Sequence, residues 1–322
     1  MFKYNTICEE ILSSLQERTK KIIICRFGLF GNEKKTLEAV GKEHQVTRER
    51  VRQIEKDGIK QIKKRTGEYG DVFTSFENRL DSFGGLKKED FLVSELAGEG
   101  DCENCIVFLL TVSDDIFRVS ENNEHHAFWA KDKEIVKKAQ NVIDDAHKIL
   151  KKQNKLLALD DFQIKDGVSK DALSSYLEIS KKVIKNEEGL FGISTWPEIN
   201  PKGIKDKAYL VFKRENKPLH FKEVASLLGE GANPQTTHNE LIKDSRFVLV
   251  GRGVYALSEW GYIPGEVKEV IRTILEKEGA LLKDEIIVRV EEQRIVKKNT
   301  IIQNLSNKKY FIRTPDGKYT VA

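Results

Sequence analysis

The sequence has no apolar run approaching the roughly 20 residues that a helix needs to cross a bilayer, and residues 1–10 lack a basic start followed by an apolar stretch. No membrane association is expected, and a cytoplasmic setting, a bacterial cytoplasm or nucleoid, is. Cysteine is scarce: Cys8, Cys25, Cys102 and Cys105 are too few and too unevenly placed for a disulfide framework, so reduced thiols are expected. The spacing Cys102-Glu-Asn-Cys105 is half a zinc site with no second pair in its neighbourhood, which makes Cys105 a small core residue and leaves no metal site expected. The six histidines form no His-x-x-x-His or Glu-x-x-His grouping, and His125-His126 reads as part of a solvated loop. A Gly-rich phosphate loop ending in Lys-Ser/Thr is missing, as is a Gly-x-Ser-x-Gly elbow. Acidic pairs such as Asp114-Asp115 and Asp144-Asp145 sit in a chain that is 33% charged, where adjacent acids are solvated faces rather than a nuclease centre. Neither an enzyme nor a cofactor is expected.

What is present is charge, unevenly distributed. The chain of 322 residues carries a net +4, yet residues 1–66 hold 16 Lys/Arg against 9 Asp/Glu, a net of +7, leaving the other 256 residues at −3. A polyanion contact therefore belongs near the N-terminus. The length exceeds one comfortable hydrophobic core and suggests two to four units.

Residues 7–15 and 18–27 read as two short amphipathic helices, with Ile7, Ile11 and Leu15 and then Ile22, Ile23 and Phe27 on their apolar sides. Beyond the breaks at Gly28 and Gly31, Thr36 caps a helix over residues 38–44 with Leu37 and Val40 inward. Gln45 and Val46 turn the chain, and Thr47 caps a longer helix over residues 49–64 that contains no proline. On a wheel, Val51, Ile54, Gly58 and Ile62 face inward, while Glu49, Arg52, Gln53, Lys56, Lys60 and Lys63 gather opposite, with Arg48 at the edge. Such a helix fits the major groove, where Arg pairs with guanine, Gln with adenine and Glu with cytosine. Lys56, Lys60 and Lys63, farther along, suit phosphates.

The stretches Arg26-Phe27-Gly28, Thr36-Leu-Glu-Ala-Val-Gly41 and Val46-Thr-Arg-Glu-Arg-Val-Arg-Gln-Ile-Glu55 resemble region 4 of housekeeping-type bacterial sigma factors. The resemblance implies that Arg48, Glu49, Arg52 and Gln53 contact bases of a −35 promoter element. It places Thr36, Thr47 and Arg50 near the DNA backbone and makes RNA polymerase core, at its flap, a partner beside double-stranded DNA. It covers only about the first 65 residues and includes no counterpart of the segment that melts the −10 element, so a sigma-like reader detached from the melting machinery is expected rather than a complete sigma factor.

A linker is expected at residues 67–83, hinging the reader to the rest of the chain, and beyond it the sequence repeats. Leu177, Val183, Gly189, Phe191 and Ile193 recur 64 positions later as Leu241, Phe247, Gly253, Tyr255 and Leu257, and after another 64 as Leu305, Phe311, Gly317, Tyr319 and Val321. Each set reads helix, strand, glycine turn, strand, the hairpin wing of a winged helix. Leu110, Ile116 and Phe128-Trp129 form a looser earlier copy. Trp129, Trp196 and Trp260 each close a wing as core anchors.

The stretch from Lys217-Pro-Leu-His-Phe-Lys-Glu-Val-Ala225 to Tyr255-Ala-Leu-Ser-Glu-Trp-Gly261 resembles the HARE-type winged helix, a family that includes a domain of the RNA polymerase delta subunit. That resemblance implies nucleic-acid or polymerase association, with Thr236, Thr237, His238 and Asn239 as second DNA contacts. Lys297, Lys298, Asn299 and Thr300 occupy the matching place in the next copy. The net negative charge of this region leaves protein contact an equal alternative.

The expected architecture is mainly α with small β-hairpin wings. It comprises an N-terminal helix-turn-helix (1–66), a linker (67–83) and three or four tandem winged helices, at 84–131, 132–198, 203–262 (HARE-type) and 265–322. The expected function is a DNA-binding transcription regulator associated with RNA polymerase. The alternative is a polymerase-binding adaptor whose winged helices recruit another protein.

Overall fold

Caps and glycine breaks set the first four helices. In the computed structural model, which describes residues 2–98, 103–164, 167–229 and 231–322, α1 spans Tyr4–Leu12 and α2 Glu17–Phe27. Gly28 ends α2 at φ 68°, a left-handed turn open to glycine at little cost. α3 (Leu37–Glu43) begins at Thr36, whose hydroxyl accepts from the Ala39 amide, and α4 (Arg48–Lys63) begins at Thr47, whose hydroxyl accepts from the Arg50 amide. Between them Gln45 turns the chain at φ 53°. Val51, Gly58 and Ile62 are buried and Ile54 partly so, as the wheel requires.

The chain forms two compact units, residues 1–195 and 196–322. In the first, the linker expected at residues 67–83 is replaced by structure. A 3-10 turn (Thr66–Tyr69) leads into α5 (Gly70–Ser82), which buries Val72, Phe73, Phe76 and Leu80. Gly67, Gly70 and Asp71 are turn and first-turn residues of an amphipathic helix, which is why their composition reads as a linker. α5 is followed by β1 (Leu86–Lys88), α6 (Glu89–Ala97), α7 (Glu103–Val112), β2 (Phe117–Val119) and β3 (Phe128–Ala130), the strands forming an antiparallel sheet in the order β1-β3-β2. One apolar core runs through α1, α2, α4, α5, α6 and α7 to Trp129 on β3. α1, α2 and α4 are therefore packed against α5–α7 rather than hinged to them, and α3 rests on α2 and α4. The unit continues with α8 (Lys133–Gln153), α9 (Lys170–Glu178), β4 (Val183–Lys185) and β5 (Phe191–Ile193), Leu157 bridging to Phe191.

The second unit comprises α10 (Gly203–Glu215), β6 (Leu219–His220), α11 (Phe221–Leu227), α12 (Pro234–Lys243), β7 (Phe247–Gly251) and β8 (Val254–Leu257). After these come α13 (Val267–Glu278), α14 (Lys283–Gln293), α15 (Lys298–Leu305), β9 (Phe311–Arg313) and β10 (Tyr319–Val321). Its first sheet runs β6-β8-β7, the order already seen in β1-β3-β2. Arg294, 5% exposed, donates to the carbonyls of Ile263 and Gly265 in the segment leading into α13, and the Ile295 amide joins the two halves of this unit by donating to Val250 O at 2.6 Å. In the first half, Arg246 bonds Asp206 at 2.8 Å and Asp244 at 2.6 Å, tying the start of α10 to the entry of β7.

The 64-residue recurrence is a recurrence of geometry. Leu177, Leu241 and Leu305 are buried near the ends of α9, α12 and α15. Val183, Phe247 and Phe311 open the next strand, also buried, and Gly189, Gly253 and Gly317 turn at φ 86°, 72° and 85°. Of the three tryptophans, Trp129 is 1% exposed; Trp196 and Trp260 are only half-buried, Trp260 packing against Phe212 beyond the end of β8. His125 and His126 lie between β2 and β3 as expected, but they are half-buried, and the His126 amide donates to Ile179 O at 2.9 Å. The fold is mainly helical with small antiparallel sheets. Among the described residues no helix is long and apolar enough to cross a membrane.

Candidate nucleic-acid interface

α4 is held from three sides and left open on the fourth. Val51 packs with Ile22 of α2 and Val40 of α3, Gly58 lies against α2, and Ile62 joins the larger core. A Cβ on Gly58 would stand 2.8 Å from Ile23 Cδ1 and 2.9 Å from Thr19 Cγ2, so α2 and α4 cross where one of them has no side chain. Arg26 adds a polar tie, donating to Glu55 at 2.8 Å and to the Lys35 carbonyl. Glu55 lies within the motif that carries the sigma resemblance, but no feature of the sequence pairs it with Arg26.

The open side presents Arg48, Glu49, Arg50, Arg52, Gln53, Lys56 and Lys60, all exposed or half-exposed. Arg52 grips Glu49 with two hydrogen bonds, of 2.9 and 2.6 Å, and this bonding holds the Glu49 carboxyl below the usual carboxylate range. Arg50 reaches Gln53 at 3.4 Å. The first two turns of α4 thus hold donors and acceptors on the surface in local pairs. Thr36 and Thr47 are the N-caps of α3 and α4, each with its hydroxyl already accepting one backbone amide.

Lys63 departs from expectation. Its ammonium donates to the Ser113 carbonyl at 2.6 Å and to Asp114 at 3.0 Å, at the end of α7. A cation placed at a helix C-terminus satisfies carbonyls that have no intrahelical partner, so Lys63 is engaged within the fold, unlike Lys56 and Lys60.

The second expected set divides similarly. Thr237 is fully buried and its hydroxyl bonds back to Asn233 O at 3.1 Å, which removes it from any surface contact. It lies on the inner face of α12, where a polar residue satisfied by its own helix substitutes for an apolar one. His238 is half-buried and stacked on Phe221, with centroids 4.3 Å apart, while Thr236 and Asn239 lie at the surface. Lys297, Lys298, Asn299 and Thr300 lie at the start of α15, on its solvent side. Cys105 is buried, as expected of a small core residue, and its partner in the half-site spacing, Cys102, lies outside the described residues.

Comparison with known proteins covers the part of the chain that carries this face. Residues 11–64 match the family Sigma-70, region 4. A sigma factor RpoS of Coxiella burnetii is 54% identical over 55 residues, 17% of this chain and 16% of that protein. A sigma factor RpoD of Helicobacter pylori is 48% identical over 69 residues, 21% and 10% of the respective chains. A principal sigma factor HrdD of Streptomyces viridifaciens is 45% identical over 56 residues, 17% of each. The chain thus spans less than a fifth of the length of these relatives. Within that span the helices, the caps and the exposed first turns of α4 coincide with the match: residues 11–64 are a sigma-70, region 4 domain.

Proposed function

We propose that this chain is a non-enzymatic DNA-binding transcription regulator that works with RNA polymerase, reading a −35-like promoter element through Arg48, Glu49, Arg52 and Gln53. Lys56, Lys60 and Arg50 meet phosphates in this reading, with Thr36 and Thr47 beside the backbone. The observation that carries it is the α4 surface. Its four reading residues lie on the open side of the two N-terminal turns of a rigidly seated helix, inside a region 4 domain. The +7 charge of residues 1–66 supports it, because phosphate affinity rests on positive charge.

The downstream helix-and-hairpin repeats belong in this reading as winged helices, the one over residues 203–262 of HARE type. What supports this is the shared order of helix, short strand, two helices and hairpin in α10 to β8, and the equivalent sheet order from α5 to β3. On that basis the earliest copy begins at Gly70 with α5, not at residue 84. Lys297, Lys298, Asn299 and Thr300 are candidate second DNA contacts, with Thr236 and Asn239. The net −3 beyond residue 66 favours protein partners for the remaining surfaces, which keeps the adaptor reading in view. Polymerase core, at its flap, is the proposed protein partner. Because α7 already covers the apolar side of α1, α2 and α4, that contact falls on their outer surface.

A gel-shift series with the full chain tests the reading. A duplex carrying a −35-like element is expected to bind more tightly than a scrambled one, and Arg52→Ala is expected to remove most of the difference. Equal binding of both duplexes, unchanged by Arg52→Ala, would sink it. Capture of polymerase without DNA that survives Arg48→Ala and Arg52→Ala would favour the adaptor.

A further inference from the structure

The small core beneath the recognition helix is bordered by a group of metal-ligating atoms. Cys25 on α2, Glu43 in the last turn of α3 and His44 directly after it bring a sulfur, a carboxylate oxygen and a ring nitrogen within 4.8 Å of one another. The backbone at each is fixed. The Cys25 carbonyl accepts from the Lys35 amide at 2.9 Å, the His44 amide donates to Val40 O at 3.0 Å, and the His44 carbonyl accepts from Arg18 at 3.3 Å. A second observation points to a ligand: His44 Nε2 is buried with no hydrogen-bond partner among the described residues, although a buried polar nitrogen ordinarily has one. Glu43 accepts from Lys35 at 2.6 Å on Oε2, which leaves Oε1 to face the group.

We propose that Cys25, Glu43 and His44 form a site for a zinc-class divalent cation, with the fourth position taken by water. One thiolate, one imidazole and one carboxylate suit zinc, which accepts S, N and O donors tetrahedrally, and they do not suit magnesium or calcium, which demand oxygen shells. On binding, the Cys25 sulfur–hydrogen bond is replaced by a sulfur–metal bond and the proton passes to solvent; no electron is transferred. The ion would join α2 to the end of α3 immediately before Gln45, the turn that sets the direction of α4. Metal occupancy would therefore stiffen the helix-turn-helix itself, independently of whether α4 reads DNA.

Cobalt(II) titration of the full chain, kept reduced by a phosphine, reads the site directly. One equivalent is expected to bind with a sulfur-to-cobalt charge-transfer band that zinc abolishes, with release of a proton. Cys25→Ser is expected to lose the band, and His44→Gln to weaken zinc binding roughly a hundredfold or more, since loss of even an outer partner of a ligand costs about 10–100-fold. Glu43→Gln, at the surface, should weaken binding with the circular dichroism unchanged, which separates ligand loss from misfolding. Cys102→Ser should leave the band intact. The proposal fails if no band appears, if it persists in Cys25→Ser, or if it disappears in Cys102→Ser alone, which would move the sulfur ligand to the Cys-x-x-Cys pair.

Discussion

Arg52, Lys60 and Lys63 share one side of a helical wheel and have three different environments. Arg52 is exposed and paired with Glu49, Lys60 is exposed, and Lys63 is bonded to the end of α7. Arg52→Ala is expected to cost about 1–3 kcal/mol of discrimination between a −35-like and a scrambled duplex. Lys60→Ala should weaken both duplexes alike and lower the slope of log affinity against log salt by about one. Lys63→Ala should leave that slope unchanged and instead lower unfolding stability by about 1–2 kcal/mol, measured by urea titration, because it removes a charged hydrogen bond to a carbonyl. A change in salt slope for Lys63→Ala would return it to the DNA face. The wheel does not separate Lys63 from Lys60, because the partner of Lys63 lies 50 positions downstream. Thr237 defeats sequence reading for a related reason. A buried threonine that bonds its own helix looks, in sequence, like a polar residue facing solvent.

At the scale of elements, the turn between α3 and α4 tolerates little. A Cβ on Gly41 would lie 2.7 Å from the Val46 carbonyl oxygen, a backbone atom that cannot move aside without opening the turn. Gly41→Ala is therefore expected to destabilise the first unit by about 1–3 kcal/mol despite alanine's better helix propensity, and to weaken DNA binding with it; an unchanged melting temperature would contradict this. In the second unit Arg246 holds the Asp244 carboxyl below the usual range. A carboxylate depressed in the fold contributes stability that is fully present above its unfolded value, about 3.9, and is lost as pH falls through the folded value. Stability is expected to decline from about pH 4 downward, and Asp244→Asn should reduce that slope in acid unfolding curves. The caps Thr36 and Thr47 and the glycine turns are legible in sequence because each depends on one residue's chemistry. α5 is not, since Gly67, Gly70 and Asp71 resemble a linker until Phe73, Phe76 and Leu80 are seen to meet a core built from distant residues. The Cys25, Glu43 and His44 group is also illegible: its members come from two helices, and motif spacing reads only neighbours.

At the scale of the whole molecule, the boundary at residue 66 separates charge but not structure. Tyr4 packs on Phe76 and Phe27 on Phe108, at centroid distances of 5.9 and 5.2 Å, so the region 4 domain shares its interior with α5 and α7. A fragment of residues 1–66 is expected to show reduced helix content or to self-associate, whereas residues 1–195 should unfold cooperatively; circular dichroism and light scattering distinguish the two. A monomeric 1–66 fragment with full helicity would show the shared core to be dispensable.

The bond from Lys63 to the end of α7 has a thermodynamic consequence for recognition. A reading helix on a hinge samples many orientations when free and must give up that freedom each time it meets a groove. Here the freedom is surrendered once, during folding, because the far end of α4 is fastened to its neighbour. Under the proposed function, association with DNA then carries little reorganisation entropy from the protein. The smaller penalty should show in calorimetry as a less unfavourable binding entropy for the native chain than for Lys63→Ala.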